Sequence, residues 1–552
     1  MTQSNEMSTF ARTILEGKYL KGEESSWEDI AKRVATEVVG PYFPDDVDDV
    51  AKAIANRELM PAGRQLANAG YSNMLNNCFL YRVKDSKEDI ADFFRKGTVT
   101  GMTGGGVGSV WSDLRPRGWA VKSNNGASTG PCAFMQSFNE IGRGVVNGGS
   151  RRMAIWAGLH WWHPDVFEFM SLKDWPDHIV AAKEEDFSAY APMDMTNISV
   201  ILDDDFFALV NDEVDEVHIH NDWGTITVDR DWALRVYWTA IEKMLTTGEP
   251  GFSVDLGDNR FENLRNPCCE ITSEDDSDVC CLGSVNMARI DTIERFREVV
   301  ELGTIFLLCS TLKSEVPHEE VLVTRERNRR LGLGIMGLYE WLVARGYKYE
   351  PNDELGEWLG EWERISDLSA AHYARTLEIS IPKKVRAVAP TGTIGIIAET
   401  TTGIEPLFAA AYKRRYLDGG VWKYQYVVDA TAKRLIDQYG VEPSELETAY
   451  DLAFDPARRL AMQAFVQGYT DHAISSTVNL PSAESQPFTP EEFGKVLLEH
   501  LPNLRGITTY PDGSRGGQPL SVVPYHEAIS FEGLEFEEVG LEQSCVNGVC
   551  GL

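Results

Sequence analysis

The sequence predicts one large globular domain with smaller appendages, containing both helices and strands. The 552 residues are enough to bury a sizeable core. The content of 43% hydrophobic and 25% charged residues is that of an ordinary globular protein. Helical periodicity dominates the N-terminal part, and short apolar runs beside turn-rich stretches predict strands further along the chain.

The helical prediction is clearest in residues 1–60. The stretch SSWEDIAKRVATEVVG has a serine cap region, helical apolar spacing and a terminal Gly40, and DDVDDVAKAIANREL repeats the pattern. Three further elements are predicted: a helix over Cys132–Val146 ending in a cap at 147–149, a strand at Asn197–Leu202, and an amphipathic helix over 327–346.

Charge and composition exclude several classes of partner. The net charge is −33 at pH 7 and the pI is about 4.7, so we expect no nucleic-acid partner, and phosphorylated ligands need local basic loops. No apolar run reaches transmembrane length and the N-terminus lacks a signal-peptide pattern, so we expect no membrane partner. The nine cysteines are distributed as reduced thiols, which predicts a cytoplasmic protein.

The chemistry of the chain is concentrated in the stretch Phe261–Met287, which holds four of the nine cysteines in two adjacent pairs. The first pair lies between an amide and a carboxylate, Asn266 and Glu270. Pro267 disfavours a helix and predicts a loop tip. If the loop is extended, Asn266, Cys268 and Glu270 face one side and Cys269 faces the other.

Three interpretations of the cysteine pairs compete. Buried pairs without chemistry do not explain the neighbouring amide and carboxylate. A structural zinc site requires two thiolates that reach one ion, usually with two to four residues between them, and adjacent cysteines point apart. A redox or radical thiol site uses all the residue types present, because a thiol can carry a radical and a glutamate can move a proton.

The motifs of this stretch resemble the catalytic subunit of ribonucleotide reductases. The resemblance consists of the core Asn-Pro-Cys-x-Glu, followed by Cys-x-Leu-Gly-Ser-Val-Asn. The family usually has glycine where Cys269 stands and asparagine where Cys281 stands. These departures place an extra thiol beside each functional one, and they leave open which thiol of the second pair is redox-active.

The resemblance implies a fold and a reaction. The fold is a ten-stranded α/β barrel of two five-stranded halves over residues 61–525, after an N-terminal helical region at 1–60 and before a tail at 526–552. A finger loop through the barrel centre carries the radical thiol Cys268, with Glu270 as proton acceptor and Asn266 positioning the sugar. Cys78 and Cys280 become a disulfide as they reduce the ribonucleotide. An ATP-binding activity domain is not expected in the residues available.

The resemblance also implies nucleotide-binding residues. The turn Pro-Thr-Gly-Thr-Ile opens toward a helix, whose N-terminus favours anions, and in the family it holds the substrate phosphates. In this sequence the phosphate-binding residues are Thr391, Gly392, Thr393 and Ile394. A deoxynucleotide or ATP effector, at a site that usually lies at a homodimer interface, is expected to contact residues of a specificity region: Asp85, Arg115, Lys122, Gly149, Arg151 and Arg152.

The radical source is inferred from a missing aromatic ring. Family members served by a separate metal-radical subunit usually carry two consecutive tyrosines as a relay, and the corresponding positions here are Tyr510 and Pro511. Proline has no redox-active ring, so adenosylcobalamin is the expected cofactor. The alternative is a ferritin-like metal-radical partner that uses another relay. The chain ends without the Arg-x-x-Gly-Tyr motif of the glycyl-radical subclass.

The C-terminal sequence adds a second thiol pair. Cys545 and Cys550 stand near the end of an acidic stretch, where exposed thiols need a purpose. A dithiol that re-reduces the buried pair by thiol–disulfide exchange explains their position, with thioredoxin or glutaredoxin as the external reductant.

Overall fold

The computed structural model describes residues 7–121, 125–147, 151–186, 189–418, 421–482, 484–514 and 520–537. Its main sheet contains ten strands in the described residues; Leu59–Pro61 is an added edge strand, and the other nine surround a common interior and are labelled in chain order. They are β1 Cys78–Arg82, β2 Gly106–Val110, β3 Ile155–His160, β4 Thr196–Asp203, β5 Gly251–Asp255, β6 Asp278–Asn286, β7 Leu331–Met336, β8 Thr477–Leu480 and β9 Gly506–Pro511.

The first five strands form one half of a barrel. Each of β1 to β4 pairs in parallel with the next strand in the chain. Four of these strands, β1, β2, β3 and β5, are buried along nearly their whole length, as expected when helices cover the outer face of a parallel sheet.

The second half has the same parallel arrangement. Strand β6 pairs in parallel with β7, and β8 pairs in parallel with β9. The extended segment at 385–388 fills the place between them through parallel bridges from Leu333 to Arg386 and from Val388 to Ile474.

Antiparallel pairing joins the halves at both edges, β6 with β1 and β5 with β9. The strands therefore close on themselves, and the expected barrel of two five-stranded halves is confirmed.

The barrel is wrapped by helices and short ribbons. The helices are Thr9–Lys18, Trp27–Val38, Val47–Ala55, Gly63–Asn68, Lys87–Met102, Pro131–Gly144, Val166–Met170, Asp177–Glu185, Asp204–Val210, Arg230–Thr246, Ile293–Lys313, Glu319–Asn328, Leu338–Ala344, Asp353–Thr376, Gly392–Ala398, Ala430–Tyr439, Ala449–Leu452, Pro456–Gln467, Pro490–His500 and Tyr525–Phe531. The remaining strands are Leu59–Pro61, Ala120–Val121, Gly126–Ala127, Val146–Asn147, Arg151–Arg152, Glu216–Asn221, Gly224–Asp229, Leu264–Arg265, Thr272–Ser273, Ala411–Asp418, Val421–Val428, Leu520–Val522 and Glu535–Glu537.

Apolar side chains divide into an inner core and two outer cores. One outer core packs the N-terminal helices and the helix Ile293–Lys313 against the second half, and the other covers the first half. The inner core lies inside the barrel and contains residues such as Leu80, Trp156 and Ile271. In the described ranges, no helix is both long enough and apolar enough to cross a membrane.

Two of the predicted local elements are confirmed. The helix Trp27–Val38 begins at Ser26, whose side chain accepts a hydrogen bond from the Asp29 N–H, while Asp29 bonds back to the Ser26 N–H. The strand predicted at Asn197–Leu202 is the core of β4.

The amphipathic helix predicted over 327–346 is wrong, because this segment contains strand β7 before the short helix Leu338–Ala344. All six residues of β7 are buried, and a strand buried on both faces has a continuous apolar pattern that resembles a helix. The glycines permit close strand contacts, since a Cβ on Gly334 would lie 2.6 Å from the carbonyl oxygen of Ala387.

The C-cap predicted at 147–149 is also wrong. The helix Pro131–Gly144 ends before these residues, and Val145 is already extended. Val146–Asn147 then pairs with Arg151–Arg152 in an antiparallel ribbon. The pairing of these strands replaces the expected helical end.

Candidate active site

The loop that carries the first cysteine pair enters the barrel as a short finger. Leu264–Arg265 and Thr272–Ser273 pair antiparallel to form its stem. At its tip the Cys269 N–H donates to the Asn266 carbonyl at 2.9 Å, which closes a turn with Pro267 in the second position. The predicted loop tip is confirmed, and Cys268 is the one exposed thiol among the described cysteines.

The tip is a turn and not an extended strand, so the predicted alternation of side chains does not hold. Cys269 has φ +66°, in the left-handed region. Its side chain packs half-buried against the inner core, and burial raises its pKa to about 12. Asn266 and Glu270 are buried below the exposed Cys268.

Glycines of β2 make room for the finger. A Cβ on Gly108 would lie 1.7 Å from the carbonyl oxygen of Arg265, and a Cβ on Gly106 would lie 2.7 Å from the Pro267 ring. Any side chain at these two positions would displace the loop. These glycines therefore serve close backbone packing.

A buried network of charges anchors the base of the finger. Arg265, which directly precedes Asn266, pairs with Asp255 of β5 at 2.5 Å, and Arg505 pairs with the same carboxylate at 3.3 Å. Glu262 accepts from Arg330 at 3.0 Å and from the finger residue Thr272 at 2.9 Å.

Burial alone would raise the pKa of Glu262, but the charges of Arg330, Lys384 and Arg505 lower it far below its usual range. Asp255 belongs to the first barrel half, whereas Arg330, Lys384 and Arg505 lie beside strands of the second half, so the network holds the finger relative to the whole barrel. No sequence pattern indicated this network, since Arg330, Lys384 and Arg505 are far from the motif in sequence.

The two cysteines predicted to react together are direct neighbours across strands. Cys78 of β1 and Cys280 of β6 are register partners, and both side chains belong to the inner core. Asn266 connects this pair to the finger, because its Nδ2 donates to the Cys78 Sγ at 3.1 Å while its Oδ1 accepts from the Ile271 N–H at 2.9 Å. Burial, reinforced by the nearby Cys78, raises the pKa of Cys280 well above its usual value.

Cys281 faces the other side of β6. Its side chain belongs to an outer core, and its Sγ accepts from the Asn76 Nδ2 at 3.3 Å. Successive residues of a strand point to opposite faces, so only Cys280 faces the barrel interior with Cys78. The sequence did not decide which thiol of the second pair is redox-active. Strand geometry favours Cys280, because its side chain faces the same interior as Cys78.

Glu270 is a buried carboxyl with unsatisfied oxygens. Its exposed fraction is 1%, and neither oxygen accepts a hydrogen bond from the described residues. Burial raises the pKa of Glu270 from 4.5 to about 7, with the neighbouring Asn266 amide opposing the shift. A carboxyl near neutrality with open acceptor sites can take a proton from a bound hydroxyl.

The buried Glu270 makes stability depend on pH. Its folded-state pKa of about 7 lies above the usual 4.5, so the cost of ionising it in the folded state appears as pH rises through this window. We expect Glu270→Gln to stabilise the protein by on the order of 3 kcal/mol at pH 8 and by less than ~1 kcal/mol at pH 5. Unfolding of both proteins at the two pH values measures the difference, and an equal gain from the exposed Glu484→Gln would contradict it.

The predicted phosphate turn is a backbone cradle at the start of a helix. Thr391 has φ +47° and precedes the helix Gly392–Ala398. Its Oγ1 accepts from the Gly403 N–H at 2.9 Å, which fixes the turn. Gly392 is exposed, and a Cβ placed on it meets no atom within 4 Å. The start of this helix is therefore open at Gly392, and the N–H groups of a first helical turn are groups that bind anions.

The structure brings together two of the predicted effector residues. The Arg115 Nε donates to the Asp85 carboxylate at 2.7 Å, and the Arg115 Nη1 donates to the Ala120 carbonyl at 2.9 Å. Arg151 and Arg152 lie in the ribbon after the helix Pro131–Gly144. The other predicted residues of this region and of the tail lie outside the described residues: Lys122, Gly149, Cys545 and Cys550.

Two family models match this chain. A family model described as "Ribonucleotide reductase, barrel domain" matches residues 76–356 and 383–499, and one described as "Ribonucleotide reductase, all-alpha domain" matches residues 5–73.

In the described ranges, no group of three or more histidine, cysteine, aspartate or glutamate side chains could hold a metal ion.

Three curated relatives illustrate the similarity. The vitamin B12-dependent ribonucleoside-diphosphate reductase of Mycobacterium tuberculosis is 28% identical over 98% of this chain and 82% of its own length. The protein of the same name from Thermoplasma acidophilum is 27% identical, over 85% of this chain and 66% of that protein. A putative adenosylcobalamin-dependent ribonucleoside-triphosphate reductase of Mycobacterium phage D29 is 27% identical over 77% of this chain and 64% of its own length.

Proposed function

The chain belongs to the ribonucleotide reductase family, and from this we propose that it is a catalytic chain that reduces ribonucleoside di- or triphosphates to 2′-deoxyribonucleotides, with adenosylcobalamin as radical source. The observation that carries the proposal is the finger itself. It presents an exposed Cys268 at its tip, and its Asn266 contacts Cys78, the register partner of Cys280. The proposal also divides the chain into a helical region at residues 1–60, a barrel domain at residues 61–525 and a tail at residues 526–552.

Two observations fit adenosylcobalamin. Pro511, at the end of β9, cannot relay a radical from a distant subunit, and Cys268 is exposed, so a bulky cofactor can approach its thiol directly. When bound, adenosylcobalamin supplies an organic radical by homolysis of its cobalt–carbon bond. The relatives named above support this source, and the alternative of a separate metal-radical subunit is not favoured.

Each residue of the finger has a defined task in the proposed mechanism. Cys268 as a thiyl radical removes the ribose 3′ hydrogen, and Glu270 accepts the 3′-hydroxyl proton. Its unsatisfied oxygens and a pKa of about 7 support that role. Asn266 positions the sugar, and its amide also contacts the Cys78 thiol.

The inner-core thiols complete the reduction. The 2′-hydroxyl leaves as water with a proton from one thiol of the Cys78–Cys280 pair, the hydrogen of the other thiol goes to the 2′ carbon, and the two sulfurs, having supplied two electrons, form a disulfide. Glu270 then returns its proton to the 3′ oxygen, and Cys268 returns the hydrogen atom to the 3′ carbon, which restores its thiyl radical. Burial keeps the Cys280 thiol protonated at neutral pH, and the barrel interior excludes water from the reaction.

The proposal includes two nucleotide-binding sites, one for substrate and one for an effector. The N–H groups of Gly392, Thr393 and Ile394 hold the substrate phosphates, with Thr391 bracing the turn. The region of Asp85 and Arg115, with Lys122, Gly149, Arg151 and Arg152, takes a deoxynucleotide or ATP effector. The proposal also has the chain form a homodimer and act in the reducing cytoplasm.

The tail supplies the returning electrons. Cys545 and Cys550 reduce the internal disulfide and are themselves reduced by thioredoxin or glutaredoxin. We expect the double change Cys545→Ser and Cys550→Ser to stop turnover with thioredoxin but to spare turnover with dithiothreitol, because a small dithiol enters the barrel directly. Product formation with each reductant measures this, and equal losses with both would remove the shuttle role.

The direct test is product formation by the purified chain. Ribonucleotides, dithiothreitol and adenosylcobalamin should yield deoxyribonucleotides without a second protein, and hydroxocobalamin in place of the cofactor should yield none. If product formed only after a second protein was added, the radical source would be a separate subunit and not adenosylcobalamin.

A further inference from the structure

A hairpin outside the barrel carries two histidines that the proposed function does not use. Its strands, Glu216–Asn221 and Gly224–Asp229, pair antiparallel as a separate two-stranded sheet. Exposure alternates along the first strand, so His218 and His220 stand on its outer face, while the apolar residues that alternate with them pack against an outer core. Two imidazoles therefore occupy consecutive positions on one solvent-facing surface.

Each histidine is oriented by a threonine of the neighbouring strand. The Nδ1 of His218 lies 2.9 Å from the Thr227 Oγ1, and the Nδ1 of His220 lies 2.9 Å from the Thr225 Oγ1. Both contacts join register partners, so the pairing of the strands sets the orientation of the rings. A histidine that binds a metal through Nε2 usually bonds its Nδ1 to a polar partner, which fixes the tautomer.

The Nε2 atoms of the pair are available to a ligand. Among the described residues, the His220 Nε2 has no hydrogen-bond partner, and the His218 Nε2 lies 3.4 Å from the Glu216 Oε1. Two ligands on one tetrahedral zinc ion, with bonds of about 2.0–2.1 Å, are separated by about 3.3 Å. The Glu216 carboxylate also places negative charge beside the imidazoles, which favours a cation at this position.

We propose that His218 and His220 chelate one divalent metal ion of the class that prefers imidazole, such as Zn²⁺. Alternate residues of a strand lie about 6.8 Å apart, so their two side chains can reach one ion between them. Water completes the coordination, since the site has two protein nitrogens and not the group of three that is absent from the described ranges. Mg²⁺ and Ca²⁺ prefer oxygen ligands, and we expect neither to bind there.

Zinc titration of the full-length chain tests the pair. Calorimetry with Zn²⁺ alone as the probe compares the wild type, His218→Ala and His220→Ala. The cysteines are the same in every variant, so any difference in bound zinc belongs to the hairpin. Loss of either imidazole should weaken this zinc binding by about tenfold or more, because one of two protein ligands is removed.

Two further variants separate ligation from general surface effects. His178→Ala is the matched control, because His178 is an exposed histidine outside the hairpin, and it should bind zinc as the wild type does. Thr225→Val removes the hydroxyl behind His220 and keeps a β-branched residue in the strand. It should weaken zinc binding without changing the number of ions bound. All of the changed positions are exposed, so thermal unfolding without zinc should match the wild type.

The outcomes decide the proposal without reference to turnover. Equal zinc binding in the wild type, His218→Ala and His220→Ala overturns it, and so does an equal loss in His178→Ala. Mg²⁺ binding that disappears in the same two hairpin variants would indicate a site of carboxylate oxygens and would also overturn it. A chain that forms no deoxyribonucleotide, but whose zinc binding depends on both histidines, would support the metal site and remove only the proposed function.

Discussion

Cys268→Ser should abolish deoxyribonucleotide formation, by about 10⁴-fold or more, while leaving the protein as stable as the wild type. A hydroxyl has the shape of a thiol but does not carry a radical under these conditions, so the first hydrogen abstraction fails. The side chain is exposed at the finger tip, and exchange of sulfur for oxygen there removes little packing. Steady-state product formation and thermal unfolding, measured together, separate chemistry from folding.

The neighbouring thiol provides the control. Cys269→Ser changes the same finger by the same atom, but this side chain packs against the inner core. We expect it to retain activity within about tenfold of the wild type and to lose some stability, since burial of a hydroxyl costs more than burial of a thiol. If both variants lost activity to a similar extent, the loss in Cys268→Ser would reflect general damage to the finger. It would then no longer support Cys268 as the radical thiol.

Cys280→Ser and Cys281→Ser should separate reduction from packing in the second cysteine pair. We expect Cys280→Ser to lose about 10²–10⁴-fold in turnover, because the inner core then lacks a proton donor and one sulfur of the disulfide. Cys281→Ser should keep most of its turnover but lose about 1 kcal/mol of stability, since a hydroxyl then replaces a thiol that is buried within an outer core.

The disulfide itself can be located. After one turnover without reductant, mass spectrometry of alkylated peptides should find Cys78 joined to Cys280, because these residues are register partners and face the same interior. A bond between Cys78 and Cys281 would show that β6 changes its register or face during the reaction.

The reactive types and their order along the chain were readable from the sequence alone. The motif around Cys268 predicted a loop tip, which the structure confirms, and the turn before Gly392 predicted the start of a helix, which is also found. Both are local patterns, in which proline and glycine restrict the backbone and a few neighbouring side chains carry the chemistry. The expected barrel was likewise found, although its seventh strand had been predicted as a helix, because a strand buried on both faces shows no alternation.

Only the tertiary structure decided how distant residues meet. Strand register places Cys280 and not Cys281 opposite Cys78, and one step along a strand exchanges the interior for the outer core. Burial, which depends on the closed barrel, brings the Glu270 pKa to about 7. The anchor of Arg265 on Asp255 joins residues from separate strands, and no local pattern marks it. Sequence determined which groups are present, and folding determined their partners, because contacts across a barrel depend on register and closure rather than on separation along the chain.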